Sequence, residues 1–538
     1  MRMQKEGQGS RGTSRAVRGV AAPLLSLLCL SCTTFVPQER GTDFLPVPDA
    51  FTLYELAAPV PVRWWTAFQS EELTRLVDEA LGGNLSLQQM YARLRQAELL
   101  AREAGALRWP ELELGADASV TRRHTDTGAS YSDLEVAIEK LNALNTLAGS
   151  ASGTPATTKL EALSDALRAA QSKVQALDTL LAGPPSSQMT ATTRSYGFGL
   201  GTSYEVDLWG RVQAQHEAAR LNYEASREDV YAAMLSLSGA VVLQWLTIVA
   251  VEQEFGLVQE QLELNRTVLE LMELRYHKGM ATALDVYQQR QIVAQTESLI
   301  PPIESELQTA RHELAVLLGK PPRAEQAIDT KVLPGTTPLP EPGLPADLLA
   351  RRPDVRAFGL QLRAADWQVS AARAARLPAL RLTASASYGA DEWDLVFDNW
   401  MATLAGSLTG PIFDAGRRKA EVARTRAVVD ERLAAYRERV LEAVLEVENS
   451  LVQETKQCEY IEALRRELDA ARASHDQALE RYRKGLNDYL PVLSALMELQ
   501  VLERRLVQAE FTRLVRRVQL CVALGGAWME EELVKSGE

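Results

Sequence analysis

The chain repeats itself, and that repetition limits what it can fold into more than any single motif does. Arg275-Tyr276-His277-Lys278-Gly279 returns as Arg481-Tyr482-Arg483-Lys484-Gly485, and Gly210-Arg211 returns as Gly416-Arg417, both 206 residues later. Two separated matches at one offset mark a duplicated structural unit. Upstream, Leu94-Arg95-Gln96-Ala97-Glu98 and Pro110 are similar to Leu362-Arg363-Ala364-Ala365-Asp366 and Pro378 at an offset of 268. The first copy therefore carries 62 additional residues between Pro110 and Gly210. Small and polar residues crowd positions 147–158 and 183–193 there, with two helical patterns near 133–148 and 158–182.

Each copy reads helix, strand, loop, strand, long helix, turn, helix. From Arg211 to about Arg275, and from Arg417 to about Arg481, apolar residues recur at helical spacing without a proline, as in Leu433, Tyr436, Val440, Val444, Val447 and Leu451. At 1.5 Å per residue such a segment is a rod of roughly 100 Å. The shorter helical patterns of the first copy, residues 71–108 and 282–318, laid end to end match one rod in length. That match predicts a pairing, with Gly279 and Gly485 in turns at one end. Residues 232–251 lack charge and are long enough to cross a bilayer, but Ser236, Ser238, Gln244 and Thr247 interrupt them, and they read better as a buried packing face.

Four segments alternate with period two. Leu112, Leu114, Ala116, Ala118 and Val120 interleave with Glu111, Glu113, Asp117 and Ser119; Phe198, Leu200, Tyr204, Val206 and Leu208 interleave with Gly197, Gly199, Gly201, Ser203, Glu205 and Asp207. In the second copy Leu382, Ala384, Ala386 and Tyr388 alternate with polar residues, as do Trp400, Leu404, Leu408 and Ile412. Strands are thus predicted near 111–121, 196–208, 380–389 and 400–413, each with one apolar and one wet face. Such strands can sit in a bilayer only without open edges, because each unpaired backbone group there costs several kcal/mol. Single-chain barrels need at least about eight strands. Four cannot close, so several chains would have to complete one barrel, and symmetry follows from closure. The alternative is a soluble, periplasmic coiled-coil lipoprotein with a structural role, whose strands form a small cap.

Composition removes other classes. A net charge of −13 and a pI of about 5.2 argue against binding nucleic acid. Five scattered histidines, His312-Glu313 without a second histidine, and the absence of a GxxxxGK[ST] loop give no catalytic, metal or cofactor site. Gly197, Gly199 and Gly201 alternate inside a strand and read as smooth sheet rather than a nucleotide loop. Cys458 and Cys521 lack zinc spacing and lie out of register for a disulfide on antiparallel helices, so they read as small packed residues.

The N-terminus reads as a targeting segment. Arg2, Lys5, Arg11, Arg15 and Arg18 precede an apolar run from Val20 to Leu30, the order of a secretory signal. Leu28-Cys29-Leu30-Ser31-Cys32 is similar to a bacterial lipoprotein box, with Cys29 where leucine is usual, and this makes Cys32 the expected lipidation site. Thr33 rather than aspartate after it favours the outer membrane by resemblance to lipoprotein sorting. Removal of residues 1–31 takes away five basic residues and one acidic one, leaving a net charge of −17.

At Ser203-Tyr204-Glu205-Val206-Asp207-Leu208-Trp209-Gly210-Arg211 the chain resembles the TolC family of outer-membrane efflux channels, in its NodT-like lipoprotein branch serving RND-type tripartite pumps. Trp64-Trp65 through Phe68, Leu348-Leu349-Ala350-Arg351-Arg352-Pro353-Asp354-Val355 and Gly410-Pro411-Ile412-Phe413-Asp414-Ala415-Gly416-Arg417 agree in order and spacing. The resemblance implies a mainly α fold with a transmembrane β-barrel: a homotrimer, four strands per chain in a twelve-stranded barrel, continued by a helical periplasmic tunnel. It implies passive conduction with no enzymatic activity. Its implied partners are a periplasmic adaptor (membrane fusion) protein, an inner-membrane transporter of the RND type and outer-membrane lipid. The exit channel of a type I protein secretion system is a second reading in the same architecture.

The expected organisation is a signal peptide at 1–31, an N-terminal equatorial segment at 32–70, a first repeat at 71–319 with an inserted extracellular loop near 122–195, a Pro-rich equatorial linker at 320–346, a second repeat at 347–525 and a tail at 526–538. By the resemblance, the turns at Gly279 and Gly485 are the periplasmic entrance and adaptor contact. Tyr276 and Tyr482 are the gate candidates, and Asp285, Asn487 and Asp488 are the entrance candidates. Ser494 stands where many relatives have an aspartate, so cation selection through carboxylates would rest on Asp285 or Asp488. Pro353 beside Asp354 reads as a helix start, with Arg351 and Arg352 in the linker before it.

Overall fold

A computed structural model describes residues 35–37, 63–126, 138–143, 146, 157–181, 188–323, 328–335, 345 and 348–525. The lipidation candidate Cys32 lies outside them. After a short 3₁₀ turn at Trp64–Phe68, the elements in chain order are α1 (Glu71–Gly83), α2 (Leu85–Ala106), β1 (Glu111–Asp126), α3 (Thr157–Leu181), β2 (Gln188–Val206), α4 (Arg211–His277), α5 (Ala283–Leu317), α6 (Leu348–Arg351), α7 (Pro353–Ala374), β3 (Ala379–Ala390), β4 (Trp400–Thr409), α8 (Arg417–Arg483) and α9 (Leu490–Ala523). The duplication is carried into the structure: α4 and α8 have 67 residues each and begin 206 residues apart. The chain divides into a helical unit and a unit made of the strands with their connections.

The helical unit is built as the length match predicts. α4 packs along both α2 and α5, and α8 along both α7 and α9, with α4 also against α7 and α9. The family motif before each long helix has a physical reason. Gly210 and Gly416 stand at the N-cap with φ of 74° and 84°, where they supply no capping side chain. An aspartate just upstream caps instead: Asp207 Oδ2 accepts from the Gln213 N–H (2.8 Å), and Asp414 Oδ1 and Oδ2 accept from Gly416 N–H (3.0 Å) and Arg418 N–H (3.2 Å). A carboxylate at that end also meets the positive end of a long helix dipole. The uncharged 232–251 segment is interior to α4. Trp245, Leu246, Ile248 and Val249 are fully buried against Trp64, Trp65, Leu73, Leu314 and Val518, as a packing face requires.

The strands form one sheet in the order β1-β2-β3-β4. β1 and β2 are antiparallel in a register that pairs Glu111 with Ser203 and Asp126 with Gln188. Leu114 therefore sits opposite Leu200 and Ala116 opposite Phe198, while Glu113, Gly115 and Asp117 sit opposite Gly201, Gly199 and Gly197. The two apolar stripes coincide on one face and the acidic and glycine residues on the other, as the alternation predicts. A Cβ at Gly197 would strike the carboxylate of Asp117, so this glycine leaves room for the acidic side chain opposite it. The apolar face is uncovered: Leu112, Leu114, Val120, Trp400, Leu404 and Leu408 are all exposed, Trp400 at 71%.

The strand bounds depart from the sequence reading in three ways, the first being that β2 ends at Val206, short of 208, with Leu208 in the turn before α4. β1 and β2 run beyond the predicted 121 and 196, to Asp126 and from Gln188, although Arg122, Arg123 and Arg194 are charged. Backbone pairing continues because it depends on register rather than on an apolar face. β4 stops at Thr409, short of 413, and Ile412 is not in a strand. Pro411 has no N–H to give a ladder, and Gly410 lies where a Cβ would meet Pro378.

Candidate pore entrance

The helix turns at Gly279 and Gly485 are built identically. After α4, Gly279 takes φ +75°; Gly279 N–H donates to Tyr276 O (2.9 Å) and Met280 N–H to Arg275 O (2.8 Å). After α8, Gly485 takes φ +72°, with Gly485 N–H to Tyr482 O (2.9 Å) and Leu486 N–H to Arg481 O (2.9 Å). Both are Schellman turns, in which a left-handed glycine lets two N–H groups satisfy the last free carbonyls of the helix. The repeated Arg-Tyr-X-Lys-Gly string is thus the sequence of a turn used twice.

The chains then re-enter helices in different ways. α5 begins with a capping box: Thr282 Oγ1 accepts from Asp285 N–H (3.2 Å), and Asp285 Oδ2 accepts from Thr282 N–H and Thr282 Oγ1, both at 2.8 Å. Asp285 is half-buried and its carboxylate is engaged in this cap. α9 has no such side-chain cap and starts with Pro491 in its first turn. Before it, Asp488 is exposed and Asn487 is half-buried, its amide donating to Asp488 O (3.3 Å). Ser494 is exposed on the first turns of α9.

The two tyrosines are not equivalent. Tyr276 is 46% exposed and stacks only loosely on its neighbour His277. Tyr482 is half-buried between the two copies: the Arg275 guanidinium lies 4.8 Å over its ring, its hydroxyl reaches Met272 Sδ (3.7 Å), and its ring tilts against Tyr489 at 5.5 Å. Burial pushes the Tyr482 hydroxyl above its ordinary pKa; Arg275 works against this and Asp285 adds to it. Tyr482 and Asp285 therefore share a neighbourhood.

Tyr489 is the residue that sequence reasoning left without a role. It is buried, and its hydroxyl donates to Gln289 Oε1 (2.7 Å); burial and the neighbouring Tyr482 raise its pKa strongly. Gln289 opens a buried polar ladder. Its amide donates to Asn265 O (2.8 Å), Asn265 Nδ2 donates to Thr296 Oγ1 (3.0 Å) and Gln500 Oε1 (3.3 Å), and Gln500 Nε2 returns a bond to Asn265 Oδ1 (3.1 Å). Gln261 donates to Gln500 O (3.1 Å). The ladder ties α4 and α5 of the first copy to α9 of the second. Polar residues at the apolar spacing of a helix, such as Gln261 and Asn265, were the available signal.

A second polar cluster corrects the sequence reading of Arg351-Arg352-Pro353-Asp354. Pro353 does start α7, but Arg352 is not a linker residue. Its buried guanidinium donates to Asp354 Oδ1 (3.1 Å) and Oδ2 (2.7 Å), to Glu446 Oε2 (2.6 Å) and to Ala523 O (3.0 Å), joining α7, α8 and the end of α9. Burial alone would push the Asp354 carboxyl up, but Arg352 and Arg439 outweigh it and hold it at about 2. Nearby, Arg517 and Glu454 form an ion pair with both side chains almost fully buried.

The outer membrane efflux protein family matches residues 76–320 and 344–526. The pyoverdine export outer membrane protein OpmQ of Pseudomonas putida is 30% identical over 507 residues, covering 94% of this chain and 97% of the relative. Its namesake in Pseudomonas aeruginosa is 32% identical over 469 residues, covering 87% and 88%. Among solved structures, the outer-membrane channel OprN superposes with a TM-score of 0.75 at 25% identity, covering 92% of this chain and 99% of that one. CusC, at 24% identity and a TM-score of 0.71, shares the fold over 91% of this chain. On the match over both copies and the full-length relatives, the chain belongs to the outer membrane efflux protein family.

Proposed function

We propose that this protein is the outer-membrane exit duct of a tripartite efflux pump, receiving substrates from an inner-membrane transporter of the RND type through a periplasmic adaptor and conducting them passively outward. The observation that carries the reading is the sheet. It has four strands, an uncovered apolar face, an acidic and glycine-lined opposite face, and β1 and β4 as its two outer strands. In lipid those edges must pair, and β4 of one copy can pair only with β1 of the next. Three copies give a twelve-stranded barrel, with the long helices as the wall of the periplasmic tunnel. Nothing in this role asks the chain to make or break a bond.

The entrance lies at the paired turns. Tyr482, packed between the copies and facing Arg275, is the better gate candidate; Tyr276 is the weaker one. Asp488 and Asp285 supply the carboxylates in place of the one that Ser494 does not provide. Lipid on Cys32 anchors the mature N-terminus. Relatives named for pyoverdine export favour efflux over protein secretion.

The decisive experiment is a heat-modifiable oligomer on a gel combined with single-channel conductance in planar bilayers. A monomer released by mild salt, with no conductance, refutes the duct. Radiolabelled palmitate should enter the wild type and not Cys32→Ala; equal labelling rejects Cys32. Drug sensitivity after gene deletion separates efflux from protein secretion.

A further inference from the structure

The β1–β2 hairpin is longer than a bilayer requires. On the apolar face of β1 the residues from Leu112 to Val120 carry no charge. At about 3.4 Å per residue and a tilt of about 40°, that stripe rises roughly 21 Å, close to the ~25 Å apolar band of an outer-membrane barrel. The pairing nevertheless continues to Asp126 and Gln188. An aromatic cluster stands where the apolar stripe ends. Tyr196 meets Trp393 edge to face at 5.6 Å, and Phe397 packs against Phe198 at 6.5 Å and Tyr388 at 5.7 Å. Aromatic girdles of this kind lie at the boundary between hydrocarbon and headgroups.

Immediately beyond that girdle the same face turns cationic. The register puts Arg194 opposite Val120, one row outward from the Ala118–Tyr196 pair, and Arg122 opposite Thr192 in the next row. The two arginines are therefore diagonal neighbours on one face, with Cβ atoms about 7–8 Å apart, within reach of long side chains. Both are exposed, and among the described residues neither has an ion-pair partner. From Leu112 to His124 and from Thr190 to Thr202 this face holds no carboxylate, because Glu113 and Asp117 lie on the other one. We infer that Arg122 and Arg194 form a docking site for the phosphate groups of a phosphorylated glycolipid in the outer leaflet, one site for each chain of the trimer.

Height, charge and donor chemistry select that occupant. By the same rise and tilt, Arg194 stands about 5 Å and Arg122 about 10 Å above the Tyr196 row, at the depth of headgroups rather than of hydrocarbon. This end of the hairpin is the one remote from the links to α2 and α4, so with the helices in the periplasm it faces the outer leaflet. The charge is local: the whole chain carries −13, yet two cations adjoin here with no carboxylate between them. Adjacent like charges repel, and a phosphate held between them removes that repulsion. Arginine also offers a planar fork of N–H donors that phosphate oxygens accept in pairs. Free phosphate has the same oxygens, but only a lipid also lays acyl chains on the apolar stripe directly below, so that one molecule is held at two places. Arg123, opposite Ala191, projects from the other face and lies outside the site.

The inference rests on the membrane-spanning trimer, and the test separates the two. The full-length wild type, the double variant Arg122→Gln, Arg194→Gln and the opposite-face control Arg123→Gln would each be purified as a heat-modifiable trimer in neutral detergent. Native mass spectrometry would follow titration with bisphosphorylated lipid A, with the same lipid stripped of its phosphates, and with inorganic phosphate. The bisphosphorylated lipid should bind the wild type and Arg123→Gln alike and the double variant about tenfold more weakly or worse. Stripping the phosphates should cost the wild type a similar factor and leave the double variant unchanged. Inorganic phosphate should bind none of them at the lipid concentrations used. Equal binding of bisphosphorylated lipid by wild type and double variant overturns the site, and so does an equal loss in Arg123→Gln, which a general charge effect would give. A wild type indifferent to the lipid's phosphates overturns it without any variant, and inorganic phosphate binding as tightly as the lipid overturns the lipid as occupant. Failure to find any trimer overturns the duct instead.

Discussion

Arg517 and Glu454 show how much one residue can decide here. Their ion pair sits in the α8/α9 contact with side-chain exposures of 4% and 3%. A pair that buried contributes little net stability, because desolvation offsets the attraction, but losing one partner strands a charge. Arg517→Met is therefore expected to destabilise the chain by about 3–5 kcal/mol, and Arg517→Met, Glu454→Met to recover most of the loss. Denaturant unfolding in detergent followed by helical circular dichroism measures both; a double variant as damaged as the single one would reject the account. Asp354 gives a pH signature. Its carboxyl is held at about 2 against an ordinary 3.8. A depressed folded pKa contributes stability that is fully present above 3.8 and is lost as pH falls toward 2, at a scale of about 2 kcal/mol. Acid titration of unfolding should show this loss in the wild type and a flatter profile between pH 4 and 2 in Asp354→Asn. Neither residue announced its role in the sequence. Arg352 and Asp354 stood in a recognisable string, but a string next to a helix start does not reveal that Glu446, 92 positions beyond Asp354, comes to share the same guanidinium.

At the scale of elements, the repeat made most of the fold legible. Two helices of equal length, their terminating turns and the partition of their partners followed from one offset and from the rise per residue. The sheet's faces were legible for the same reason, since a period of two survives folding unchanged. What stayed hidden was set by contacts remote in sequence: the continuation of β1 to Asp126 is fixed by its partner Gln188, and the polar ladder through Asn265, Gln289 and Gln500 joins three helices. The Schellman turns yield a prediction of this scale. Gly485→Ala forces an alanine into φ +72°, at a cost of about 1–2 kcal/mol. Nothing lies within contact distance of a Cβ there, so the effect is conformational and local. Hydrogen exchange should speed up in the last turn of α8 and the first turn of α9 while the core around Trp245 keeps its protection. Faster exchange throughout α8 would mean that the turn holds more than its own end.

For the whole molecule, symmetry turns each entrance residue into a ring of three, and a change too small to matter in one chain acts at one level of the pore. Of the carboxylates proposed for that entrance, Asp488 and Asp285 differ in freedom: Asp488 is exposed, whereas Asp285 is engaged by Thr282 at the start of α5. A ring of carboxylates concentrates cations where the passage is narrow. Asp488→Asn should therefore move the reversal potential in a potassium chloride gradient toward zero, and Asp285→Asn should move it less, because much of that charge is already directed into the helix cap. Ser494→Asp should move it the other way by adding a ring on the first turns of α9. The three variants form one ordered series, read from the same bilayer recordings. Reversal potentials unchanged across all three would place ion selection elsewhere, on the acidic face of the sheet at Glu113 and Asp117, the latter given room by Gly197 opposite it.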